Sequence, residues 1–146
     1  MNQPMDYTNQ KIEDNKNLIR LWIEEGWNKN RNKELAAQVF SKDWVTATPL
    51  PDQPKGVEGA MYWVEEYRKV FSDYHFEITH IVADTSFVTY RYEVSATHSG
   101  TFLGIEPTNK RVKYSGIAIL KIENNRIAKT WNEFDLAGLK MQLEQK

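Results

Sequence analysis

Residues 111–134 read RVKYSGIAILKIENNRIAKTWNEF, and their pattern decides the fold. Asn124-Asn125 sits between two runs rich in β-branched and aromatic residues. Asn tolerates the left-handed conformation that a tight hairpin turn demands. Arg111–Glu123 and Arg126–Phe134 are therefore predicted as paired antiparallel strands. Both carry apolar residues on both faces. In the first, Tyr114, Gly116, Ala118 and Leu120 share one face while Ile117 and Ile119 take the other. In the second, Ile127 and Trp131 oppose Ala128, Thr130, Asn132 and Phe134. A sheet with one wet face would alternate apolar with polar residues. The expectation is a sheet covered on both sides, by helices on one and by a second copy of the chain on the other.

Upstream, the same period of two continues. Phe87–His98 alternates Val88, Tyr90, Tyr92, Val94 and Ala96 against Thr89, Arg91, Glu93 and Ser95. Tyr74, Phe76 and Ile78 alternate with His75, Glu77 and Thr79, and Asp84-Thr85-Ser86 marks a turn. Before Tyr74 the period is helical. Ile12, Ile19, Trp22 and Ile23 predict a helix over Asn9–Trp27, followed by a short helix over Lys33–Phe40 and a third over Ala60–Phe71. Trp44–Thr48 is a short β-rich segment, and Pro49, Pro51 and Pro54 then forbid regular structure. After the last strand, Asp135 is placed to cap a final helix carrying Leu136, Leu139 and Leu143. Helices first and hairpin-linked strands afterwards predict an α+β domain with an antiparallel sheet. Residues 9–146 form one domain on this reading, and 1–8 form a disordered or irregular start.

Composition narrows the function classes. The chain has 146 residues, enough to bury a core without staples. It has no Cys, which excludes disulfides and thiolate chemistry. A net charge of −1 gives no bulk attraction for nucleic acid or an anionic membrane. No run approaches the roughly 18 apolar residues of a membrane span. The polar stretch Met1–Lys11 lacks a signal-peptide pattern, so a cytoplasmic address is expected. Five Trp and seven Tyr must fill a core or line a pocket. His75, His80 and His98 form no compact ligand spacing and no H-E-x-x-H occurs, so no metal site is expected. G-x-S-x-G and the phosphate-binding Gly motifs are also absent.

The run Thr97-His98-Ser99-Gly100-Thr101-Phe102-Leu103-Gly104-Ile105-Glu106-Pro107-Thr108-Asn109-Lys110-Arg111-Val112 resembles the T-H-x-G-x-F-x-G-I-x-P-T-G-K-x-V stretch of the SnoaL-like proteins. That family includes polyketide and ester cyclases within the nuclear transport factor 2-like superfamily. Phe71-Ser72-Asp73 is similar to its F-P-D, with Ser for Pro. Asn125-Arg126-Ile127 stands where G-K-I usually stands, and Asp135–Leu143 is similar to D-x-x-G-L-x-x-Q-L. The resemblance implies a cone-shaped barrel, in which a curved, mainly antiparallel sheet packs against about three N-terminal helices. It further implies a pocket between sheet and helices, dimers or tetramers, and no metal or organic cofactor; the two-faced sheet favours a homodimer among these.

Family cyclases use an Asp five residues after the Ile of G-K-I. Counting from Ile127 reaches Asn132, which has no proton to exchange near neutral pH and serves only as a hydrogen-bonding group. The position matching the family's strand His is Ala118. Asp135 is a candidate acid/base group at the pocket mouth, or a helix cap. His98 is a candidate acid/base group, or a structural His before the Gly100 turn. Arg91 could bind a substrate carboxylate, or pair with Glu93. Trp44, Trp63, Tyr67, Tyr90 and Tyr114 are candidate substrate-binding rings. The expected ligand is a small apolar or carbonyl-containing molecule. Three functions stay open: acid/base cyclisation or isomerisation of a polyketide-like compound, ligand binding without catalysis, and an interaction module of the kind found elsewhere in the superfamily.

Overall fold

The first helical stretch begins earlier than its apolar spacing suggests. The computed structural model describes residues 4–145, with side chains from Tyr7 onward. Helix α1 spans Pro4–Arg20, opening on a Pro that suits a first helical turn. Of the segment 1–8 expected to be irregular, residues 4–8 are thus helical and 1–3 lie outside the described residues. The chain then widens into a π-helical segment, Leu21–Trp27. Trp22 and Trp27 are five residues apart, and i→i+5 winding turns both into the core.

α2 covers Asn32–Val39, and β1 covers Phe40–Thr46. Phe40 is therefore extended and not helical, and the strand expected at Trp44–Thr48 starts earlier. α3 runs Gly56–Val70, and β2 runs Phe71–Ala83. β3 (Phe87–His98), β4 (Arg111–Glu123) and β5 (Arg126–Phe134) match their expected bounds. α4 is Leu136–Glu144. Turn chemistry closes the hairpins. Asp84 Oδ1 accepts from the backbone N–H of Ser86 and Phe87 at 2.8 and 2.7 Å. Asn124 and Asn125 adopt φ values of 52° and 60°.

The sheet order is β1-β5-β4-β3-β2. The β2–β3, β3–β4 and β4–β5 pairs are antiparallel, whereas β1 runs parallel to β5. The sheet is thus mainly antiparallel, as expected, with one parallel pair that the strand order in the sequence did not announce. Alternation identifies a strand from local residues, but a distant partner such as β5 leaves no local mark. The sheet stays open at β1 and β2 and does not close on itself. Register shifts between Ile78 and His80, and between Lys121 and Ile122, bend it.

One shift corrects a facing. Lys121 pairs with Lys129, but Ile122 pairs with Ile127, leaving Ala128 extra on β5. Ile127 therefore joins the inward phase of Thr130, Asn132 and Phe134, and is buried. It does not share Trp131's face. The inward side chains of β3 and β4 form the core with α1–α3. On the convex face, Ile117 and Ile119 remain 48% and 43% exposed. Among the described residues, no helix is long and apolar enough to cross a membrane.

Candidate functional site

The concave face carries phenols because tyrosine recurs in its inward phase. Tyr90 and Tyr92 come from β3, Tyr114 from β4 and Tyr74 from β2. With the helical Trp22, Trp27, Trp63 and Tyr67 they enclose a cavity of about 100 Å³. β5 adds Thr130, Asn132 and Phe134, and β1 adds Trp44 and Thr46.

Two polar pairs stand in this apolar lining. The Tyr92 hydroxyl donates to Asn132 Oδ1 at 2.7 Å. The hydroxyls of Tyr74 and Tyr114 lie 3.0 Å apart. Trp44 Nε1 also donates to Thr130 Oγ1 at 3.0 Å, tying β1 to β5. With Oδ1 engaged, the Asn132 amide N–H groups keep no protein partner among the described residues and can serve a ligand. Small residues on β4 make room for this. The register rows Tyr90–Ala118–Asn132 and Tyr92–Gly116–Phe134 lie side by side. A Cβ at position 116 would overlap the Tyr92 ring and hydroxyl.

Among the described residues, no Asp, Glu, His, Lys or Arg lines the cavity. Its titratable groups are phenols. Burial pushes Tyr67 up to about 12. Burial also pushes Tyr74, Tyr90, Tyr92 and Tyr114 well above the ordinary phenol range, with the Asn132 bond pulling Tyr92 back in part. All five are neutral hydrogen-bond donors at physiological pH. The site can therefore meet an oxygen that gains negative charge, but it offers no ionised base.

The expected residues divide between two places. Trp44, Trp63, Tyr67, Tyr90, Tyr114 and Asn132 line the cavity together. Arg91 points from the opposite side of β3, where Nη1 donates to Thr79 Oγ1 at 3.0 Å and lies 3.5 Å from Glu93. Asp135 caps α4, accepting from the Gly138 N–H at 2.9 Å. His98 is fully buried at the end of β3. Its Nδ1 accepts from the Thr108 N–H at 3.1 Å and lies 3.0 Å from Thr108 Oγ1, holding the loop after Gly100. The Nε2 atom has no partner among the described residues.

Tyr92, Tyr74 and Gly116 were not singled out from the sequence as site residues. A signal existed for two of them. Tyr92 shares the phase of Tyr90, and a Gly inside a strand often marks a close approach. No group of three or more His, Asp or Glu side chains among the described residues is arranged to hold a metal ion.

The sequence profile of the SnoaL-like polyketide cyclases matches residues 17–143. Solved structures resemble the chain over nearly its whole length. TsrD from Streptomyces laurentii is 22% identical with a TM-score of 0.81, covering 90% of this chain and 96% of its own. A provisionally named polyketide cyclase from Acidithiobacillus ferrooxidans is 26% identical with a TM-score of 0.78, covering 90% and 95%. A SnoaL-like polyketide cyclase from Agrobacterium tumefaciens is 17% identical with a TM-score of 0.75, covering 88% and 97%. No curated protein matches the sequence.

Proposed function

The chain belongs to the SnoaL-like polyketide cyclase family, and from that premise we propose that it promotes cyclisation or isomerisation of a polyketide-like carbonyl compound through neutral hydrogen-bond donors. The observation that carries this reading is the 2.7 Å bond from Tyr92 to Asn132 inside an aromatic cavity. It fixes the amide so that Oδ1 is spent and the N–H groups are left for substrate.

The chemistry suits a 1,3-dicarbonyl unit, whose central carbon is acidic without help. Its C–H bond breaks, the proton passes to water, and the enolate oxygen accepts hydrogen bonds from Asn132 and a neighbouring phenol. The enolate carbon then attacks a second carbonyl, whose oxygen takes a proton from water. Donors held in place inside an apolar site stabilise such an oxyanion, and losing one costs about 10²–10³ in rate. Asp135, His98 and Arg91 take no part. The reaction needs no metal or organic cofactor. In this reading the protein is a cytoplasmic homodimer joined through the convex face of the sheet.

A second reading, ligand binding without catalysis, draws on the lack of a carboxylate or imidazole among the described residues of the lining. Deuterium exchange at the central carbon of a 1,3-diketone, followed by proton NMR, separates the two. The enzyme reading expects exchange above the buffer rate that falls at least tenfold in Tyr92→Phe and Asn132→Ala. A diketone that binds but exchanges no faster than in buffer establishes the carrier reading instead.

A further inference from the structure

A second hollow, of about 290 Å³, lies beside the aromatic cavity. Its walls include Leu50, Asp52, Tyr62, Glu66 and Phe102, contributed by the segment 47–55, by α3 and by the loop after Gly100. Tyr67 lines both hollows. Its ring stacks on Trp63 at 4.5 Å. Phe134, which lines the inner cavity, lies 6.3 Å from it, and Phe102, which lines the outer one, lies 6.4 Å from it. The Tyr67 hydroxyl makes no hydrogen bond among the described residues, so ring contacts alone hold this partition.

The outer wall is built and not loose. Leu50 N–H donates to Gln53 Oε1 at 2.9 Å, and Gln53 Nε2 donates to the Gly59 carbonyl at 2.8 Å. The Tyr62 hydroxyl donates to the Pro51 carbonyl at 3.0 Å. Pro49, Pro51 and Pro54 remove backbone freedom from the same segment. By size, the inner cavity of about 100 Å³ is of the same order as the roughly 150 Å³ apolar cavity that accepts a single benzene ring, and it opens toward the second hollow at Tyr67. It takes one ring at most, and a fused ring system would have to displace Tyr67.

We propose that the two hollows form one binding site divided by Tyr67, with a single ring in the inner cavity and a flexible arm in the outer groove. Tyr67 then sets how many fused rings the protein accepts. This rests on the pocket reading above and names its substrate class: a monocyclic 1,3-dicarbonyl bearing an arm, whose enol form a phenol mimics as a stable probe. The ionised groups on the groove wall are both carboxylates. Glu66 is paired with Lys69 at 2.6 Å, whereas Asp52 has no ion-pair partner among the described residues. The arm that fits carries hydroxyl or amine donors and not an acid.

Calorimetric titration with phenol, 1-naphthol, tyramine and 4-hydroxyphenylacetate tests this. The wild type should bind phenol at least tenfold more tightly than 1-naphthol. Tyr67→Ala should reverse that order, and Tyr67→Phe, which keeps the ring, should preserve it. Tyramine should bind more tightly than 4-hydroxyphenylacetate, and Asp52→Asn, at an exposed position, should narrow the gap. That second comparison holds even if Tyr67→Ala fails to fold. The partition is overturned if the wild type binds 1-naphthol as well as phenol, or if a folded Tyr67→Ala moves both equally. If the wild type binds no phenol at all, the pocket reading itself falls, and this proposal falls with it.

Discussion

Tyr92 reaches Asn132 across an intervening strand. Tyr92 lies on β3 and Asn132 on β5, and the 2.7 Å bond between them passes over β4 at Gly116 and Ala118. The sheet can carry a polar pair between non-neighbouring strands only because β4 presents almost no side chain there. Gly116→Ala is therefore expected to push Tyr92 off Asn132. Forcing a methyl into this packed row should cost about 1–3 kcal/mol in urea denaturation. Phenol binding should weaken by more than the stability loss explains, because the donor pair is broken. Unchanged binding in a destabilised variant would separate Gly116 from the site.

Asn132→Asp installs a carboxyl at the position where the family resemblance implies one. In this apolar lining burial raises an acid's pKa, with the Tyr92 hydroxyl pulling the other way. The sign follows from the raised folded value. The variant should be most stable below the unfolded Asp value of about 3.9 and lose stability as pH rises through its folded value. Diketone exchange should climb over the same interval as the base ionises. Wild-type exchange should lack that rise. A variant whose exchange does not vary between pH 4 and 8 would show that position 132 does not face the reacting carbon.

The buried phenols make an alkaline prediction. Tyr67, Tyr74, Tyr90, Tyr92 and Tyr114 all have folded pKa values raised by burial. Their neutral forms favour the folded state fully below the unfolded value of about 10. Above it the unfolded chain releases protons that the folded chain retains, so stability falls, by at most about 1.4 kcal/mol per pH unit for each phenol. Tyrosinate absorbance from these residues should rise together with loss of near-ultraviolet circular dichroism. Ionisation of all five in a still-folded protein would contradict their burial.

Most of this fold is written locally, and the exceptions have physical causes. Period-two alternation and the Asn124-Asn125 turn placed β3, β4 and β5 at their observed bounds, because strand and turn preferences act between near neighbours. The parallel β1–β5 pair escaped, because nothing in Phe40–Thr46 records a partner that follows about eighty residues later. The facing of Ile127 escaped for a smaller reason. One extra residue, Ala128, inverts the phase, and a bulge has no fixed sequence mark. Within the site, Trp44, Trp63, Tyr67, Tyr90 and Tyr114 were read from the aromatic load and Asn132 from the family count, whereas Tyr92 and Tyr74, which also line the cavity, were passed over. Asp135, His98 and Arg91 were ambiguous because a cap, a loop tether and an outward pair use the same side chains as an acid, a base and an anion binder. Only the partners Gly138, Thr108 and Thr79 separate those roles.

Asp135 gives a control with a definite size. Its carboxylate accepts from Gly138 at the start of α4, and it does not line the cavity. Asp135→Ala should cost about 1 kcal/mol, the usual loss for an N-cap. Phenol affinity and diketone exchange should stay within twofold of wild type once the protein is shown to be folded. A hundredfold loss of exchange with stability intact would return Asp135 to the reaction.

The convex face supplies the last test. Ile117 and Ile119 stand on β4 beside Trp131, whose ring lies 4.7 Å from the Lys129 ammonium, and both Ile are more than two-fifths exposed. An isologous dimer would bury these side chains against their own copies and require no new surface. Finishing the burial of a half-exposed Ile is worth about 1 kcal/mol, so four such residues across the interface contribute several. Ile119→Glu places two carboxylates near the symmetry axis and removes part of that gain. Sedimentation velocity should show the wild type as a dimer at micromolar concentration and Ile119→Glu as a monomer with unchanged circular dichroism. Phenol binding should survive in that monomer, because the cavity opens on the other side of the sheet. A wild type that sediments as a monomer at that concentration removes the dimer and leaves the pocket untouched.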